Sequence, residues 1–219
     1  MRVQLTHAGA HVDVSASELA AVKEEFNRRH CFLLRQLIEP GLLARLHEKL
    51  ASASFFNKTN ADVGDESRMT SDPVGAALEF LTNDPKLFAF VRAVTGIGEI
   101  GCFRGRVYRL LPNTGQMSDW HDDFMYGRMA TISINLSAGI YEGGLLQFRK
   151  AAEPDTIISE IHNTGFGDAS LFKIDQSIQH RVTPATGTVP RTAYAGWFVQ
   201  RPQFADLLKE RLNTSGVRA

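Results

Sequence analysis

Two periodicities divide this chain. Up to about residue 98, apolar positions mostly recur three and four residues apart, the spacing of one helix face. In SASELAAVKEEF, Leu19, Val22 and Phe26 fall on one side, behind a capping box of Ser15 and Glu18. EPGLLARLHEKLASA repeats the pattern with Leu42, Leu43, Leu46 and Leu50. NDPKLFAFVRAVTG adds a cap at Asn83 or Asp84, Pro85 in the first turn and Gly96 as the stop. One short apolar run, HCFLLRQLI, reads as a strand between the first two helices.

After Gly96 the period falls to two. GRVYRLLP is the first strand of this region, and RMATISINLS alternates cleanly. Ile132, Ile134 and Leu136 face one way there, and Thr131, Ser133 and Asn135 the other. GGLLQFRK, PDTIISEI, DASLFKI, QHRVTP and RTAYAGWFV continue the series, and RPQFADLLKERL closes it as a helix. Short strands in such number predict a sandwich or barrel of jelly-roll topology. The fold class is therefore α+β, in a single domain. Residues 1–98 form a mainly helical buttress with a lid loop, 99–200 the β core, and 201–219 a C-terminal helix and tail. The loop is the polar, glycine-bearing stretch from Ser54 to Gly75, long enough to be a lid or binding segment.

Composition narrows the function. The 219 residues carry 24 Lys and Arg against 24 Asp and Glu, so the basic surplus of a nucleic-acid binder is missing. No apolar run reaches membrane-spanning length, and the first residues lack the apolar core of a signal peptide. Cys31 and Cys102 sit in apolar settings and read as buried thiols. A cytoplasmic protein with neither nucleic-acid nor membrane partner is expected, its oligomeric state unreadable.

The candidate chemistry lies in DWHDDFMYGR. In an extended segment His121 and Asp123 point the same way and Asp122 the other, so a nitrogen and an oxygen reach one ion. Alone, His-x-Asp is also an ordinary solvated turn. A third ligand would come from His162 or His180. Arg191 follows His180 by eleven residues, in a pattern of strand, Pro/Gly turn and strand that a hairpin would fold inward. His162 has Lys173 at the same offset, but the turn sequence NTGFGD follows it, so context favours His180. Two histidines and one carboxylate with open positions suit non-haem Fe(II). Catalytic zinc competes, although the chain has no His-Glu-x-x-His. An inward arginine fits a dianionic co-substrate, because its fork of donors grips a carboxylate in two places.

These residues resemble the 2-oxoglutarate/Fe(II)-dependent dioxygenases, in particular the prolyl-4-hydroxylase-like branch. The likeness is an ordered series from Gly101 to Phe198: Tyr108 and Gly115 ahead of His-x-Asp, then TISINLS, YEGGLLQF, GDASLF, and HRVTP with Arg191 and Trp197. It implies a double-stranded β-helix, cupin-like, with iron on His121, Asp123 and His180. It implies 2-oxoglutarate chelating that iron, Arg191 on its far carboxylate, and Tyr108 adding a hydrogen bond. Dioxygen is the second co-substrate, and ascorbate an accessory reductant. The implied reaction hydroxylates an unactivated carbon and releases succinate and CO2. One departure stands out: many relatives carry Ser or Thr two positions after the arginine, where this chain has Ala193. Tyr108 or Thr131 would fill that role.

Trp197, on the Arg191 face, either walls the co-substrate pocket or fills the core. Tyr126, Arg106 and Arg68 are candidate substrate contacts, with turn packing, an ion pair and a solvated loop as their respective alternatives. The short chain favours a small molecule, amino acid or peptide as substrate. Desaturation, epimerisation or cyclisation on the same cofactors is the nearest rival; a non-catalytic β-barrel binding module and a zinc hydrolase are more distant ones.

Overall fold

The computed structural model describes residues 1–60, 63–70, 73–125 and 127–215. A hairpin of β1 (Arg2–Thr6) and β2 (Gly9–Asp13) precedes helix α1 (Ala16–Arg29), strand β3 (Cys31–Leu34) and helix α2 (Pro40–Ala51). A second hairpin, β4 (Phe55–Asn60) and β5 (Gly64–Met69), leads into α3 (Pro73–Thr82) and α4 (Pro85–Thr95). Next come β6 (Cys102–Leu110), β7 (Ser118–His121), β8 (Arg128–Asn135), β9 (Glu142–Gly143) and β10 (Leu146–Lys150). The last strands are β11 (Ile157–Ile161), β12 (Ala169–Lys173), β13 (Ile178–Val182), β14 (Ala185–Thr186) and β15 (Arg191–Val199), followed by helix α5 (Phe204–Ser215).

The helix signals act as read. Ser15 and Glu18 complete the capping box of α1, Asp84 caps α4, and Gly96 ends α4 in the left-handed conformation. Leu42, Leu43, Leu46 and Leu50 of α2 are all buried. Cys31 and Cys102 are buried free thiols.

The strands form a double-stranded β-helix. A seven-stranded sheet runs β3-β12-β8-β15-β6-β5-β4, and a four-stranded sheet, β11-β10-β13-β7, faces it. The larger sheet therefore has two buried faces. Ile132 and Ile134 of β8 pack with Val107, Phe103 and Phe198 against the helices. Each such fully buried side chain contributes ~1.5–3 kcal/mol. The other face, with Tyr108, Leu110 and Ala193, packs against Leu146, Phe148 and Val182 of the smaller sheet. Strand alternation on β8 turns Thr131 and Ser133 away from the helices, towards the space between the sheets.

Four features depart from the sequence reading. The stretch expected to be a lid loop contains the β4–β5 hairpin, whose β5 pairs with β6 and extends the large sheet. Its polar character hid the strands: β4 is largely exposed, and Glu66 and Arg68 of β5 border a cavity rather than an apolar core. The sequence reading also passed over the N-terminal hairpin and helix α3. Finally, His180 and Arg191 do not share a hairpin. β13 pairs with β10 and β7, whereas β15 pairs with β6 and β8, so the two residues face one another from opposite sheets. The connecting segment is diverted by β14, which pairs with β9.

Candidate active site

His121 ends β7 and stands directly opposite His180 of β13 in antiparallel register, with the ring centroids 4.2 Å apart. Asp123 joins them by a different route from the one its spacing suggested. The strand stops at His121, and Asp123 takes a left-handed conformation, φ 58°. Aspartate tolerates that region better than most residues. The Asp122 carboxylate caps the turn by accepting from the Phe124 amide at 2.9 Å. The turn leaves Asp123 Oδ2 at 3.8 Å from His121 Nε2 and 3.4 Å from His180 Nε2. The donor atoms of His121, Asp123 and His180 all lie within 4.8 Å of one another. Bonds of ~2.0–2.2 Å to one cation need spacings of this order.

The hydrogen bonds prepare these groups as ligands. His121 Nδ1 contacts the Asp119 carbonyl at 2.6 Å. A carbonyl only accepts, so Nδ1 carries the proton and Nε2 offers its lone pair. Burial, assisted by the neighbouring His180, lowers the His121 pKa and keeps the ring neutral. Burial alone would raise the Asp123 carboxyl, but His180, His121 and Trp197 hold it far below the usual carboxylate range. Arg128 Nη1 donates to its Oδ1 at 3.0 Å, and Trp197 Nε1 donates to its Oδ2 at 2.8 Å. Sequence reasoning put Trp197 on the correct face but missed this bond, and it missed Arg128 altogether. His162 stays apart from the cluster and packs edge-on against Tyr141.

A cavity of about 470 Å³ opens from this cluster between the sheets. At one end lies Arg191, 5% exposed, whose Nη1 donates to the Tyr108 hydroxyl at 2.8 Å. Burial opposes the guanidinium charge, yet Tyr108 and Tyr141 more than offset it and raise the pKa. Gly144 makes room for this side chain: it has φ +58°, and a Cβ there would come within 2.7 Å of Arg191 Cδ. Arg191 Nε, Thr131 Oγ1 and Ser133 Oγ are buried with no hydrogen-bond partner. Unpaired buried polar atoms are costly, and three around one cavity mark where a polar ligand fits. Ala193 stands opposite Tyr108 and offers no hydroxyl, and Thr192 turns away to accept from Arg109.

The remaining candidates lie further along the same sheet, on β5 and β6. Arg106 donates twice to Glu66, at 3.0 and 3.1 Å, and Arg68 Nε donates to the same carboxylate at 2.5 Å. Both arginines therefore make ion pairs, and both still line the cavity. Glu66 was not singled out from sequence; burial would raise its pKa, but Arg106 and Arg68 hold it below the ordinary range. Phe124 and Met125 are exposed at the cavity mouth. Tyr126 lies outside the described residues. Among the described residues, no helix is long and apolar enough to cross a membrane.

Residues 105–199 match the sequence model of the 2OG-Fe(II) oxygenase superfamily. No curated protein matches the chain. Among solved structures, a Pseudomonas putida prolyl-4-hydroxylase is similar at 18% identity and TM-score 0.59, covering 84% of this chain and 100% of its own. A Trichoplax adhaerens prolyl hydroxylase, solved with a hypoxia inducible factor oxygen degradation domain peptide fragment, matches at 18% identity and TM-score 0.59, covering 83% and 89%. The non-heme alpha ketoglutarate dependent epimerase SnoN from nogalamycin biosynthesis matches at 14% identity and TM-score 0.63, covering 84% and 82%. Identities this low carry the fold and nothing finer.

Proposed function

We propose that this chain, whose residues 105–199 match the 2OG-Fe(II) oxygenase superfamily model, is such an oxygenase and hydroxylates an unactivated carbon of a small molecule, amino acid or peptide. The observation that carries the reading is the convergence of His121, Asp123 and His180 beside a cavity ending in Arg191. His121, Asp123 and His180 would hold Fe(II), and Arg191 with Tyr108 would hold the distal carboxylate of 2-oxoglutarate. With both bound, the pair couples reduction of dioxygen to loss of CO2 from 2-oxoglutarate and to oxidation of substrate carbon.

The protein's own part is positioning and charge. Neutral His121 and ionised Asp123 supply lone pairs without first losing a proton at neutral pH. Arg191 offers a buried cation to a dianion, where a guanidinium–carboxylate pair is stronger than in water. Thr131 Oγ1 lies on the cavity wall without a partner and takes the hydrogen bond that Ala193 lacks the hydroxyl to make. Leu146, Phe172 and Val182 line the same cavity and keep water from the reacting centre. The peptide in the Trichoplax relative and the ketoglutarate-dependent epimerisation named for SnoN keep peptide substrates and other outcomes in view.

The test is 2-oxoglutarate-dependent succinate release by the Fe(II)-loaded protein, followed by product mass with candidate substrates. A product heavier by one oxygen supports hydroxylation, and one lighter by two hydrogens means desaturation instead. Absence of succinate under all conditions overturns the reading.

A further inference from the structure

A second recess, of about 380 Å³, adjoins the first cavity and shares Arg106, Arg128 and Trp197 with it. Arg104 and Arg201 complete its charged lining. Strand geometry explains the concentration. Arg104, Arg106 and Tyr108 lie on one face of β6, and Arg104 stands directly opposite Trp197 of β15. Arg106 faces the small Ala195 across the same pair of strands, so its side chain has room above the sheet. The Trp197 ring has the Arg128 guanidinium 3.6 Å and the Arg106 guanidinium 5.4 Å from its centroid. Because Trp197 Nε1 donates to Asp123, this basic recess lies next to the candidate metal ligands.

Among the described residues, the lining charges do not balance. Arg68, Arg104, Arg106, Arg128 and Arg201 line the two recesses, against the carboxylates of Glu66, Asp122 and Asp123. Among these described residues, five cations less three anions leave a surplus of two, in a chain whose total formal charge is zero. Arg191 is not in this count, being reserved for the co-substrate. Fe(II) and 2-oxoglutarate carry opposite double charges and do not remove the surplus. Arg68 and Arg106 share one carboxylate, and their side chains, 30% and 31% exposed, both line the first cavity. The charged residues lining the second recess are all arginines, and a cleft lined by one sign of charge attracts ligands of the opposite sign.

We propose that the primary substrate is a small acidic molecule whose carboxylate or phosphate binds in the recess of Arg104, Arg106 and Arg201, with its reacting carbon directed past Trp197 towards His121, Asp123 and His180. This rests on the oxygenase reading above and adds the substrate's chemical class to it. The recess is of ligand-binding size, since such sites span roughly 300–1,000 Å³. Guanidinium forks match either oxyanion in two-point geometry, so the two groups share one recognition chemistry.

The experiment uses the protein loaded with Zn(II) and saturating 2-oxoglutarate, which binds without turning over. Phenyl phosphate, phenylacetate and neutral phenylacetamide are titrated by calorimetry into the wild type and the double variant Arg104→Gln/Arg201→Gln. Both arginines are surface-exposed, and an unchanged 2-oxoglutarate titration certifies the variant's fold. The expected result is binding of one or both anions, weakened at least about tenfold in the double variant, the weight of one charged hydrogen bond. The tighter anion identifies the group. Phenylacetamide binding as well as the anions, anion binding unaffected by the double variant, or no anion binding overturns the proposal. Failure of the wild type to bind 2-oxoglutarate at all would instead remove the oxygenase reading on which it rests.

Discussion

The indole of Trp197 donates from Nε1 to Oδ2 of Asp123 at 2.8 Å, while Arg128 holds the other carboxylate oxygen at 3.0 Å. The two bonds fix a carboxylate whose backbone is left-handed and outside any strand. Asp123 thus owes its direction to side chains from β15 and β8 as much as to its own turn.

Replacing Trp197 by Phe keeps most of the packing and deletes one of those bonds. Metal affinity is expected to fall ~10–100-fold, the usual weight of a group that orients a ligand. Competitive titration against a fluorescent chelator measures it. An unchanged affinity would mean that the turn and Arg128 orient Asp123 without the indole.

At the other end of the cavity, Arg191→Lys removes the planar fork and retains the charge. The apparent affinity for 2-oxoglutarate is expected to drop by ~1.5–3 kcal/mol, the weight of a charged hydrogen bond. Tyr108→Phe loses a neutral hydroxyl, with its bond to Arg191 Nη1 and its contact to the co-substrate, but leaves the guanidinium fork in place, and is expected to cost less. Gly144→Ala touches no ligand, yet its Cβ would displace Arg191 Cδ, so it is expected to behave like an arginine variant. Equilibrium binding of 2-oxoglutarate in the presence of metal tests all three.

How much of this was legible in the sequence depended on where each signal resides. Leu42, Leu43, Leu46 and Leu50 announce α2 because one helix face is enough to bury them. Thr131 and Ser133 announce the inner face of β8 because alternation survives even when both faces are buried. Glu66 and Arg68 announce nothing, since their strand faces charged partners rather than an apolar core, and polar alternation reads as a loop. His180 and Arg191 were correctly associated for an incorrect reason. Proximity across two sheets has no local signature, and an eleven-residue separation is satisfied equally by a hairpin and by a crossover.

Glu66 supplies a dependence on pH. Its folded pKa lies below its ordinary 4.5, so its contribution to stability is present above that range and is lost as pH falls through the folded value. Glu66→Gln is expected to be less stable than the wild type at neutral pH by ~1–3 kcal/mol, the cost of an impaired buried charged contact. The gap should close as the pH falls below 4.5. Urea denaturation at pH 7 and at pH 3 measures it, and a gap that widens on acidification would contradict the assigned direction.

A metal that binds only the folded state must stabilise it. At a hundred times the dissociation constant, Zn(II) or anaerobic Fe(II) is expected to add ~2.7 kcal/mol. For a domain of this size that raises Tm by roughly 5–10 °C. His180→Ala should show little of this shift, because it deletes one of three donors on which the site depends. Thermal scans with and without metal compare the two proteins.

The most direct test of the assigned centre is anaerobic titration of metal-free protein with Fe(II) and then 2-oxoglutarate, followed by visible absorption. The wild type should develop the weak charge-transfer band of an Fe(II)-chelated 2-oxo acid. His180→Ala should lack it, and Arg191→Ala should require more 2-oxoglutarate to reach it. Absence of the band in the wild type, or its persistence unchanged in His180→Ala, would contradict the assignment of His121, Asp123 and His180 as the iron ligands.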